Sequence, residues 1–199
     1  MRYSGGLTRE QFMFNEMRIT ARLMADGLSD QEILAQVYDN NLFQYPTEKE
    51  VKSKCKACLK RLAFLKEIPE LMEALMNGTV SEAKQAALIA MMLQSRLLAE
   101  FMITVIGEKY RSLDMTITKK DMNVFFSSLA QQDEDVAGWS EKTVDRIKAV
   151  IRNCLKETEY IPPEPGSETL LPVYMSEELV QVLKDAGLSS WLPAFNVID

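Results

Sequence analysis

Apolar side chains return every three or four residues through most of this chain, the spacing that lines one face of an α-helix. In TEKEVKSKCKACLKRLAFLK, residues 47–66, a turn of about 100° per residue puts Val51, Cys55, Cys58, Leu59, Leu62 and Leu65 on one face. Helix starts are marked as well. TREQ at Thr8, SDQE at Ser29 and TEKE at Thr47 each set a hydroxyl three residues ahead of Glu or Gln, the capping-box pattern. With Gly27 as a stop, this predicts helices over 8–26, 29–40 and 47–66. Pro69 opens a short helix over 69–77 that Gly78 closes. A long central helix follows over 81–108, and RSLDMTI is a connector. Further helices start near Thr118 and Ser140, and a last one runs over 176–186, before Gly187.

The texture changes between Glu159 and Tyr174. YIPPEPGSETLLPVY sets four prolines and a glycine between short β-prone runs, which predicts a two-stranded hairpin or wing. The tail WLPAFNVID is apolar enough to dock back on the body as a strap. The first three helices follow a helix-turn-helix order, with the basic helix third, although the loop at 41–46 is long for a tight motif. TEKEV at 47–51 echoes SEKTV at 140–144, and the second copy is followed by the expected wing, as in a winged helix. The expected fold is therefore all-α. It has a helix-turn-helix-like module over 1–78, a central helix and connector over 79–117, and a winged-helix-like module over 118–199.

Composition agrees with helices. Of 199 residues 47% are hydrophobic, Met numbers 12 and Gly only 8. Residues 86–106 are long enough to span a bilayer, but Gln94, Arg96 and Glu100 interrupt them, and Arg96 and Glu100 can pair at i,i+4. A buried helix of a soluble protein is expected instead. MRYSGGLTREQF has no apolar leader core, and three cysteines make no disulfide framework, so a reducing cytoplasm is expected. Histidine is absent, which removes the imidazole of Ser-His-Asp and Cys-His catalysis and of the usual zinc proteases. Neither phosphate-cradling glycine motif occurs. The expectation is no enzyme, no cofactor and no metal. The C-x-x-C of Cys55 and Cys58 lies mid-helix on the apolar stripe, where two buried structural thiols are expected.

Charge is the unusual feature. The formal net charge is −6, yet residues 1–66 carry 11 basic and 8 acidic side chains against 12 and 21 in the remainder. On the helix over 47–66, Lys49, Lys52, Lys56 and Lys60 fall on one flank of the apolar stripe, and Lys54 and Arg61 on the other. Like charges three or four apart repel by a few tenths of a kcal/mol per pair, and a row of phosphates opposite relieves that repulsion. The row is a candidate contact for the backbone of double-stranded DNA; a solvated lysine face is the plain alternative. The helix from Ser140 adds Lys142, Arg146, Lys148, Arg152 and Lys156, but these spread around its circumference; Lys142 and Arg146 are taken as candidate contacts.

Several separated blocks carry a resemblance: YSGGLTREQFMFNEMRITARLMADGLSDQEI, NLFQYPTEKEVK, AKQAALIAMM, VIGEKYRSLD, DMNVFFSSLAQQD with VAGWSEKTVDRIK, and LPAFNVID. Together they resemble the BrxA family of bacterial BREX (bacteriophage exclusion) defence systems over nearly the whole chain. The resemblance implies a helical, NusB-like fold, association with double-stranded DNA and no assigned catalysis. It also implies a place in phage restriction beside a methyltransferase and other BREX partners. Two further readings stand beside DNA binding: a protein-interaction scaffold, and an RNA-binding adaptor of the NusB kind.

Overall fold

The computed structural model describes residues 3–9 and 11–198, with the backbone alone for Thr8 and Arg9. The chain forms two compact units, one of Met13–Ala90 and one of Met1–Phe12 with Met91–Asp199. These bounds differ from the expected division at 78 and 117.

The contiguous unit begins with α1, Phe14–Ala25. The single helix expected over 8–26 is instead two pieces, a 3-10 turn at Gly5–Arg9 and α1. Met13 separates them with a left-handed backbone, φ 53°, which no helix continues through. The capping box expected at Thr8 lies outside the described residues. Gly27, φ 85°, ends the next turn in the left-handed conformation that glycine adopts without penalty. Ser29 and Glu32 then form a full capping box for α2, Asp30–Asp39. Thr47 caps α3, Glu48–Leu62, which ends in a 3-10 turn at Ala63–Leu65. α4 spans Pro69–Asn77 with its proline at the first turn. Arg18 and Arg22 both donate to the Met76 carbonyl, at 2.9 and 3.1 Å, satisfying an acceptor where α4 ends. Helices α1, α2 and α3 share one core of Leu23, Ile33, Val37, Phe43, Val51 and Cys55.

The long helix expected over 81–108 is interrupted. α5 spans Val80–Gln94, and Ser95 adopts an extended backbone and caps the Leu98 amide of α6, Arg96–Phe101. A π turn at Met102–Ile106 carries α6 into α7, Gly107–Arg111. Among the described residues no single helix is long and apolar enough to cross a membrane. Lys109 donates to Asp114 at 2.8 Å and sits 3.2 Å from Asp121. It thereby ties α7 to the connector and to α8, Lys119–Gln132, where Thr118 and Asp121 form a second full capping box. α9, Glu134–Ala137, is capped by Asp133, α10, Glu141–Glu157, by Ser140, and α11 spans Glu177–Asp185.

The expected wing is not a hairpin. Between its arms one backbone bond forms, Leu171 N–H to the Tyr160 carbonyl at 2.8 Å. Residues 168–170 turn instead to the connector, with Ile117 N–H on Glu168 O at 2.7 Å and Leu170 N–H on Met115 O at 2.9 Å. These flank an isolated bridge of Thr116 and Thr169, and the described residues contain no other β pairing. The reason is donor loss: Pro162, Pro163, Pro165 and Pro172 have no N–H to give a ladder. Arg152 and Lys156 of α10 satisfy the Ser167 and Pro163 carbonyls in its place.

The tail docks as expected. Ser189–Phe195 forms a 3-10 helix with Leu192 to Phe195 buried. It lies so close to α7 that a Cβ on Gly107 would sit 3.3 Å from Pro193 Cβ and from the Ala194 nitrogen. The buried Tyr160 hydroxyl donates to the Ala194 carbonyl at 2.9 Å.

Candidate nucleic-acid interface

α3 is fixed from behind. Val51, Cys55, Cys58 and Leu62 are buried, and α1 and α2 pack on that side. Burial of a side chain of this size contributes about 1.5–3 kcal/mol each, so the face turned outward is set by the core and not by its charges. On that outward face Lys49, Lys52, Lys56 and Lys60 are all exposed. Three of them, with Glu48 and Ser53, line an open depression of about 510 Å³. Successive lysines of the row are three or four residues apart and follow the helix axis, with a rise of about 1.5 Å per residue.

One lysine is positioned by a neighbouring helix. Lys52 Nζ lies 3.8 Å from the centre of the Tyr38 ring of α2, a cation–π contact. A hydrogen bond to Glu48 is the first cause of the raised Tyr38 pKa, so the ring's hydroxyl is engaged with the first turn of α3. Sequence periodicity places Lys52 on the row but does not reveal this platform, because Tyr38 belongs to another helix.

Arg61 corrects the expected site. Its side chain is fully buried, with Nη1 3.4 Å from Met17 Sδ of α1, and it cannot meet a phosphate. The wheel sets Arg61 on a flank, but α1 covers that flank. Lys54 is half-buried and stands apart from the outward row. In the other unit Lys142 and Arg146 are exposed and one helical turn apart on α10. Their basic neighbours are engaged locally: Lys148 donates to Asn123 at 2.8 Å, and Arg152 and Lys156 hold the proline-rich loop.

Burial pushes the Cys55 thiol up to about 11 and the Cys58 thiol up to about 12, so neither is a thiolate near neutral pH. Among the described residues no three His, Cys, Asp or Glu side chains gather as a metal site would require.

Comparison with known proteins places this chain in a family. A family model described as BrxA matches residues 1–187. A "BREX protein BrxA" of Bacillus cereus (strain H3081.97) is 27% identical over 185 residues, covering 93% of this chain and 92% of that protein. The protein of the same name from Paramagnetospirillum magneticum (strain AMB-1) is 22% identical, over 92% of this chain and 91% of its own. That from Escherichia coli O9:H4 (strain HS) is 23% identical, over 92% and 84%. A crystal structure of an uncharacterized protein from Magnetospirillum magneticum has the same fold, with a TM-score of 0.80, 21% identity and full coverage of both chains.

Proposed function

We propose, from the premise that this chain belongs to the BrxA family, that it is a double-stranded DNA-binding subunit of a BREX phage-defence system, without catalysis of its own. It works in the cytoplasm beside the other BREX proteins, the methyltransferase among them. The observation that carries the reading is the outward row of Lys49, Lys52, Lys56 and Lys60 on a helix locked from behind, in a chain of net charge −6. In this reading α1 to α3 act as a helix-turn-helix whose third helix lies along the duplex. Lysine is a flexible point charge without the planar fork that arginine offers to guanine, so the row tracks phosphates and reads few bases. Lys142 and Arg146 supply a second, smaller contact. The acidic remainder limits indiscriminate binding.

The test is a gel-shift series with duplex DNA and with RNA over a range of salt. Duplex binding is expected with a dissociation constant on the order of 10⁻⁴–10⁻⁶ M near physiological salt, with little dependence on sequence. Lys52→Glu with Lys56→Glu is expected to weaken every duplex alike and to flatten the salt dependence by about one to two units of slope. A folded double variant with unchanged affinity and slope would return the row to a solvated face and favour the scaffold reading. Preference for RNA at equal salt would favour the adaptor.

A further inference from the structure

The discontinuous unit carries a second surface of opposite chemistry. Between α8, α9 and α10 lies an open groove of about 600 Å³. Its floor is apolar: Phe126 and Val136 are buried, and the half-buried Trp139 and Val144 line its side. Its rim is acidic. Glu141 and Asp145 line it and are exposed, and the stretch 133–145 holds five acids against the single base Lys142. The one lysine of the lining, Lys148, is committed within the site. Its ammonium donates to Asn123, stands 3.7 Å from Asp145 and lies 5.7 Å from the centre of the Phe126 ring.

We infer that this groove docks a basic amphipathic segment of a protein partner, with apolar side chains over Phe126 and Trp139 and lysine or arginine against Glu141 and Asp145. An aromatic-lined cleft of this size takes a few anchoring side chains of a peptide, and the indole supplies a large, stiff contact. Charge selects the class of partner. The acidic rim repels phosphates, so nucleic acid is disfavoured within the groove, whose lining does not include the exposed Lys142 and Arg146. The lysine-bearing α3 of a second copy is a poor occupant, because the apolar stripe beneath its lysines is already buried. The groove lies wholly in residues 123–148, and the inference does not depend on DNA binding.

The test uses the full chain and a defined probe, a helical peptide of leucine and lysine about four turns long, with its leucine–glutamate counterpart as control. Nitrogen-resolved NMR follows the Trp139 indole and the α8–α10 amides. The lysine peptide is expected to shift them, and the glutamate peptide to bind roughly tenfold or more weakly. Glu141→Lys with Asp145→Lys is expected to weaken the lysine peptide roughly tenfold while circular dichroism stays unchanged. Lys52→Glu with Lys56→Glu is expected to leave it unaltered. The inference is overturned by equal binding of the two peptides, by wild-type binding to the rim variant, or by shifts confined elsewhere. A Trp139 indole shift caused by duplex DNA and retained when Lys142 and Arg146 are both changed to glutamate would overturn it too, in favour of nucleic acid, as would a shift on raising the concentration of the chain alone, in favour of a second copy.

Discussion

Lys52 of α3 rests on the ring of Tyr38 of α2, with the ammonium 3.8 Å from the ring centre. At an exposed site such a contact contributes about 0.5–1 kcal/mol. The ring face shields what lies over it, so the Lys52 ε-methylene protons are expected upfield of those of Lys49, Lys56 and Lys60. Tyr38→Leu should abolish that shift and weaken duplex DNA by about two- to fivefold, whereas Tyr38→Phe should preserve both. Identical lysine shifts in wild type and Tyr38→Leu would remove the platform from the account of the site.

Lys60 and Arg61 are adjacent in sequence and opposite in consequence. Lys60 is exposed and Arg61 is fully buried. Lys60→Glu is expected to change stability by no more than about 0.5 kcal/mol and to act on DNA affinity. Arg61→Glu, which buries a carboxylate beside Met17, should cost about 3 kcal/mol or more. Urea unfolding of the two variants reads the difference, and equal midpoints would contradict the burial of Arg61.

Acid should loosen the junction at Lys109. The Asp114 carboxyl is held below its usual range first by its bond from Lys109 and then by the Thr116 hydroxyl. For Asp121 burial pushes upward, but the Thr118 bonds and Lys109 together carry it below its usual range. A depressed folded pKa gives stability that is complete above the unfolded value of about 3.9 and is lost as pH falls through the lower folded one. Melting temperature is therefore expected to drop below about pH 4, and Asp121→Asn to show a lower plateau with a shallower acid slope. An unchanged slope in that variant would exclude Asp121 from the acid response.

At the other end of the scale, burial drives the Tyr160 pKa far above its usual value, and burial raises Tyr110 as well. A raised folded pKa gives stability that is full below the unfolded value of about 10 and is lost as pH rises toward the folded one. Tyr160→Phe removes the donor to Ala194, should cost about 1 kcal/mol at neutral pH, and should soften the alkaline loss. Gly107→Val should crowd Pro193 and expose the tail to protease cleavage after residue 188. Wild-type cleavage rates in that variant would deny the close packing of tail on α7.

Most of the helix starts were legible because a cap is local. Ser29, Thr47, Thr118 and Ser140 each cap the expected helix with a side chain and an amide three residues apart. What sequence reading missed depended on partners distant in the chain. LQSRLL is fully competent to continue a helix, and the interruption at Ser95 has no breaker residue to announce it. The wing had β-prone residues, but its prolines removed the donors, so its backbone found the connector at 115–117 instead. At the candidate site the outward row followed from spacing alone, because exposure on a helix is periodic. Arg61 and Tyr38 did not, since burial of one and placement of the other need α1 and α2 in position.

The interleaved composition of the two units has a consequence for synthesis. Residues 13–90 form one uninterrupted unit, whereas residues up to Phe12 belong with those from Met91 onward. On a ribosome the contiguous unit emerges before residues 91 onward, and domains generally fold as units in order of emergence. Residues 3–9 must wait for α10, on which the 3-10 turn packs, and for the rest of their unit. Tyr3, whose hydroxyl binds Glu100 at 2.6 Å, closes its contact only after almost a hundred further residues have been added. Residues 3–9 thus emerge before the contiguous unit and find their place after it.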